Sequence, residues 1–187
     1  GLMSRCATLP SWAAPIALLV LGNRQRALGN ILHDAAHGNL TRNRVLNDLV
    51  TRALIAPLLF LSLSQYRELH FRHHLDLGAK GADPDLIPIP AEKARRWAAA
   101  VAANTLSPRA VLGSTFGHLV DHNVPPAGRL YILAWWALLV AALVSAAGVG
   151  PAAAMLALWL GARATVFHVI TTFREMCDHH GLVPGGV

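Results

Sequence analysis

Charge is scarce in this sequence. Only 14% of its 187 residues are Asp, Glu, Lys or Arg, and 54% are apolar, where an ordinary soluble domain carries roughly 25% charge. That balance excludes a disordered chain, a collagen-like repeat and a coiled coil, and it argues against a water-soluble enzyme. Acidic residues are the scarcer sign: 10 Asp and Glu stand against 16 Lys and Arg, for a formal net charge of +6. The basic residues form no helical stripe and interleave with no aromatics, so nucleic acid is not an expected partner. Basic connecting segments beside apolar runs fit the positive-inside pattern and anionic lipid headgroups instead. Cysteine is nearly absent. Cys6 and Cys177 lie at opposite ends, which excludes a disulfide framework, a zinc ribbon and a cysteine-held cluster. No charged leader with a cleavage site opens the chain, so no signal peptide is expected.

What the sequence does have is helix-length apolar runs. Leu130 to Gly148 and Ala152 to Phe173 are each about one bilayer long, and Gly148-Val149-Gly150-Pro151 between them allows only an antiparallel hairpin. The expected fold class is all-α: one multi-helix integral membrane unit over residues 1–187, with a transmembrane hairpin and interfacial helices. Leu9 to Gly22 reads as a short membrane helix, ended by the polar group Asn23-Arg24-Gln25-Arg26. Residues 27–37 read as a further helical stretch stopped by Gly38. The segment 45–64 is punctuated early by Asn47, Asp48, Thr51 and Arg52, the pattern of an interfacial or re-entrant helix. His70 to Pro90 is turn-rich, and residues 97–123, broken by Pro108, Gly113 and Gly117, suit an interfacial position. Trp135, Trp136 and Trp159 fit interface anchors and core residues equally well.

Histidine is abundant, with ten in the chain, and seven fall into three tight groups. His33 and His37 are four residues apart, which puts both imidazoles on one helical face within reach of a shared metal. His70, His73 and His74 repeat the device at offsets of three and four, and His179 with His180 forms the last group. A returning path through 45–64, followed by the hairpin, brings all three groups to one membrane face. Seven imidazoles exceed the three or four protein ligands of a mononuclear zinc site, whereas two oxygen-activating metals can use them, so a dinuclear iron centre fits best. The other polar residues divide less clearly. His118 and His122 form a third pair at helical spacing, better read as part of an interfacial helix than as ligands. His168 lies inside a span, where it either makes a structural hydrogen bond or lines a substrate tunnel. Asp34 either orients a ligand ring or is a surface acid, Asn39 and Asn47 read as caps or turn formers, and Asp178 either holds His179 or pairs with Arg174.

The motifs HDAAHGN at 33–39 and HFRHH at 70–74, with Asp83-Pro84-Asp85 after them, resemble the integral-membrane fatty acid desaturase and hydroxylase superfamily. The resemblance implies a di-iron site held by histidines on the cytoplasmic face. Such a centre uses dioxygen and external electrons to attack an unactivated C–H bond of an acyl chain. Desaturation of an acyl lipid is the expected reaction, and hydroxylation needs the same ligands. Phe173 to Gly181 is similar to an acidic-His segment of membrane alkane hydroxylases, which implies His179 as a ligand and leaves His180 a weaker case. The implied metal set is His33, His37, His70, His73, His74 and His179. The electron donor is expected to be a separate ferredoxin, rubredoxin or cytochrome b5-type protein, because no Gly-rich nucleotide fingerprint is present. Arg67, Arg72, Lys80, Lys93, Arg95 and Arg96 either dock that carrier or form a positive-inside loop. One departure stands out: the family's last HxxHH box does not occur in these residues. The expectation is a partial sequence whose centre, as it stands, is inactive. A zinc-dependent membrane lipid amide hydrolase and a non-catalytic membrane subunit are the alternative readings.

Overall fold

The structure is a computed structural model that describes residues 12–79, 81–84, 86 and 97–179, with residues 178 and 179 described by their backbone alone. The described residues are helical throughout, with turns between, and contain no strand. Helix α1 spans Ala13–Ala36, about 36 Å of axis. It runs unbroken through Asn23-Arg24-Gln25-Arg26, so the two segments expected there are one helix. The polar group is tolerated because its members face different ways. Asn23 and Arg24 are exposed, whereas Gln25 is fully buried and donates its amide to the Trp159 carbonyl at 3.0 Å. One turn earlier, Gly22 lets Val166 approach so closely that a Cβ would lie 2.5 Å from the valine Cβ.

Helix α2, Arg44–Val50, is capped by Asn43, whose side chain accepts from the Leu46 N–H. It continues as a π-helical turn, Thr51–Ile55, and a 3-10 turn, Pro57–Leu59. The chain then reverses through Phe60 in the left-handed region (φ 57°) and leaves as α3, Leu63–Leu75. The two arms are bent by 82°, and α3 comes back to the end of α1, where His70 meets His37, so the chain returns as the polar first half of 45–64 predicts. Helix α4, Trp97–Thr105, and helix α5, Pro108–Phe116, follow, then a 3-10 turn at Gly117–Leu119.

The hairpin is formed by α6, Pro126–Ala147, and α7, Val149–Ala162, which runs on through a π-helical turn, Arg163–Phe167, into α8, His168–His179. Two helices, Pro126–Ala147 and Val149–Cys177, are long and apolar enough to cross a membrane, and the bent pair makes up to three. The reversal is tighter than expected. Gly148 alone makes it, at φ 89°, while Pro151 sits in the first turn of α7, where no backbone donor is missed. Only 11% of the most apolar stretch of α6 is buried by protein, and Leu130, Leu133 and Leu138 project outward, as lipid-facing side chains do.

A broken helix at membrane depth leaves carbonyls that must find partners within the protein. The Ala53 carbonyl faces Pro57, which has no N–H to give, and the Trp135 indole donates to it instead at 2.8 Å. The π-turn diverts the Ala56 N–H to Thr51, and the Arg52 carbonyl accepts from the Tyr131 hydroxyl. Trp136 donates to Pro57 at 2.8 Å, Trp159 to Leu58 at 3.2 Å and Arg163 to Leu59 at 3.1 Å. The Phe60 carbonyl accepts from the backbone N–H of His118. All three tryptophans are therefore hydrogen-bond donors to the re-entrant tip, a role intermediate between anchor and core. Trp136 also stacks on Phe60 at 4.7 Å between ring centroids, within a buried cluster that includes Ile132.

Replacing the Trp136 indole by a phenyl ring keeps an aromatic against Phe60 and orphans one contact of the Pro57 carbonyl. Trp136→Phe is expected to lower stability by about 1–2 kcal/mol, against less than about 0.5 kcal/mol for Trp12→Phe at an exposed position. Denaturant unfolding of the two variants in detergent micelles measures the difference.

Candidate metal centre

The last turn of α1 carries His33, the residue that caps its end is His37, and the second half of α3 carries His70 and His74. Because α2 leaves this end of the molecule and α3 returns to it, the two pairs meet. One ligand nitrogen from each of the four rings lies within 4.8 Å of every other. Nε2 of His70 is 2.9 Å from Nε2 of His37 and 3.0 Å from Nε2 of His74, and the His33 ring centroid is 4.6 Å from that of His70.

A clamp behind the rings holds the helices in register. The Arg67 guanidinium grips both oxygens of Asp48 at 2.8 and 3.1 Å and donates from Nε to the Ala36 carbonyl at 2.9 Å. It thereby caps the open end of α1 and ties α2 to α3. Arg67 beside it holds the Asp48 carboxyl down at about 2. Fully buried Asn47 completes the clamp, donating to the Ala35 carbonyl at 2.9 Å and accepting from the Leu40 N–H at 3.1 Å. Tyr66 lies flat against the His70 ring, 5.4 Å between centroids.

The donor set suits a metal ion. Two nitrogens at right angles on an ion with bonds of about 2.1 Å stand about 3.0 Å apart, which matches the His37–His70 and His70–His74 separations. A single ring nitrogen offers one proton or one lone pair, so His70 Nε2 with two imidazole neighbours is better satisfied by a shared cation. Burial, and then the neighbouring imidazoles, push His70 down to about 4 and His74 down from its ordinary range. At neutral pH both rings are the unprotonated form that ligation requires.

The remaining sequence candidates fall in several places. His73 is buried beside the cluster, its ring centroid 6.2 Å from that of His70 and 5.7 Å from that of His74, and its Nδ1 bonds to Asp83. It is not among the four converging rings. The His179 and Asp178 side chains, together with His180, Asp85, Lys80, Lys93, Arg95 and Arg96, lie outside the described residues. Asp34 reaches His33 only at 3.4 Å, with both side chains well exposed. Arg67 is committed to the clamp and is not a free docking cation, which corrects one of its two expected roles. Arg72 is exposed and pairs with Glu68 at 3.8 Å. His118 and His122 do not share a helix face, because α5 ends at Phe116 and a tight turn follows. His118 Nδ1 accepts from the Ser62 N–H that begins α3, while His122 is exposed. His168 is the hydrogen-bonded structural residue, linking Ser114 at 2.7 Å to the Thr105 carbonyl at 3.0 Å.

Two residues escaped the sequence reading. Arg163 is 2% exposed and donates to three carbonyls, those of Thr115, Leu59 and Ser114. Its guanidinium lies over Phe167 at 4.5 Å. A lone charge inside the apolar run 152–173 was the available signal. The other is Asp48, one of several polar residues in the re-entrant segment, which nothing local distinguished as a clamp.

Residues 10–186 match the fatty acid desaturase family. The chain belongs to that family. It is also 41% identical over 76 residues to the dihydrorhizobitoxine desaturase of Bradyrhizobium elkanii, a match covering 40% of this chain and 22% of that relative. This desaturase-family chain thus spans only a minor part of the curated relative it matches. No solved structure matches it.

Acid is expected to loosen the fold before it reaches ordinary carboxylates. Burial pushes His118, like His70, down to about 4. Between about 6.5 and 4 the unfolded chain takes up protons that the folded chain refuses, so stability is lost as pH falls through that window. Thermal unfolding of the metal-free protein at pH 7, 5.5 and 4 is expected to show a declining midpoint. His118→Asn, whose Oδ1 offers Ser62 a non-titrating acceptor in place of Nδ1, flattens part of the decline.

Proposed function

We propose that this chain is the core of a membrane oxidoreductase that desaturates acyl lipids with a histidine-held di-iron centre. The observation that carries the reading is the convergence of His33, His37, His70 and His74 from two separate helices onto one small volume. In this reading these four, with His73 and His179, hold the metal, and a further histidine box completes the set. Iron in such a site supplies the activation of dioxygen needed to break an unactivated C–H bond. The chain's own residues do the rest. Burial keeps His70 and His74 neutral for ligation, the Arg67–Asp48 clamp keeps α1 and α3 at ligand distance, and the apolar faces of α6 and α7 present the centre to a lipid phase. The chain passes the membrane more than once, and the metal face is cytoplasmic, beside the basic segments. Electrons come from a separate ferredoxin, rubredoxin or cytochrome b5-type carrier. Similarity to a protein named as a desaturase favours desaturation over hydroxylation.

Purified chain in lipid nanodiscs is expected to take up ferrous ion, and His70→Ala to lose at least 10-fold in affinity. Supplied in one polypeptide with a further HxxHH box, a reductant and an acyl lipid, it is expected to consume oxygen and form a carbon–carbon double bond, read by mass spectrometry. One zinc per chain, no oxygen uptake and cleavage of a lipid amide would overturn the reading in favour of a hydrolase.

A further inference from the structure

The turn after α3 contributes a buried acid that the four-histidine cluster does not use. Asp83 lies ten residues beyond His73, and its side chain has no solvent exposure. One carboxylate oxygen is 2.7 Å from His73 Nδ1, and the other accepts from the Gly78 N–H at 2.9 Å. Gly78 makes that turn at φ 74°, a conformation that costs glycine little. The Asp83 backbone is held as well, its N–H donating to the Ala79 carbonyl at 3.0 Å. A carboxylate can only accept, so the short bond places a proton on His73 Nδ1 and the ring's lone pair on Nε2. Nε2 is the same atom through which His37, His70 and His74 approach one another.

We infer that Asp83 is a positioning residue of the metal centre: its carboxylate fixes the ring angle and tautomer of His73, so that Nε2 is presented as a ligand beside the four-histidine cluster. The inference rests on the metal-centre reading proposed above. A carboxylate behind a ligand imidazole also raises its basicity, and loss of such a partner typically costs 10–100-fold in metal affinity. The rival role is a purely structural latch, in which the same bond only closes the turn 76–83 onto α3.

Cobalt(II) titration of the full chain in detergent separates the two roles, with total bound metal and the ligand-field spectrum as readouts. Asp83→Asn is expected to weaken cobalt binding 10–100-fold and to alter the spectrum. His73→Asn, whose amide can still donate to Asp83 but which lacks Nε2, is expected to lose as much. The double variant should be no worse than His73→Asn alone, because Asp83 acts through that ring. Unchanged cobalt affinity and spectrum in Asp83→Asn, with only its melting temperature lowered, would overturn the inference and leave the latch. Additive losses in the double variant would overturn it too. A wild-type chain that binds no cobalt would instead defeat the metal-centre reading on which the inference stands.

Discussion

The structure depends on pairing the backbone carbonyls that are exposed where the re-entrant chain breaks. A helix interrupted by Pro57 and reversed at Phe60 forfeits its own ladder, and in a lipid surrounding there is no water to make good the loss. Besides a few local backbone bonds, six donors to the tip carbonyls come from distant elements: Tyr131, Trp135 and Trp136 from α6, Trp159 from α7, Arg163 from the π-turn that follows, and His118 from the turn after α5. The long hairpin is therefore more than a membrane anchor. It is the scaffold that makes the turn possible, and the turn is what brings α3 back towards α1.

The site inherits that geometry. Once α3 returns, one bidentate ion pair and one buried asparagine suffice to hold the histidine-bearing ends together, because Arg67 and Asn47 both bond to the carbonyls that α1 leaves open at its C-terminus. The imidazoles crowd together in a partly buried volume that disfavours the charged forms of His70 and His74. That arrangement suits a cation. Capping a helix, joining two others and setting ligand spacing are here one network, so a change in the clamp is felt at the rings.

Much of this was legible along the chain. Spacings of three and four on α1 and α3 mark ligand faces because helical periodicity is local, and the polar first half of 45–64 marks a returning segment because charge at bilayer depth is costly. Other features were not. Nothing near Arg67 distinguishes a clamp residue from a docking cation, since its partner Asp48 is 19 residues away. The pair His118 and His122 has ligand spacing but lacks a helix to carry it. The polar group at 23–26 suggested a break, whereas α1 passes through it by burying Gln25 and exposing Asn23 and Arg24.

By itself the sequence determined the helical class, the apolar hairpin, the two histidine boxes and the family to which they belong, since each follows from residue type and short-range spacing. Tertiary structure alone decided which four rings converge, why His73 turns to Asp83, and that three tryptophans and a buried arginine serve carbonyls far away in the chain. Those are choices of partner, made by the direction in which helices cross and by the need of the carbonyls freed at a broken helix for donors, and neither is written in any local stretch of residues.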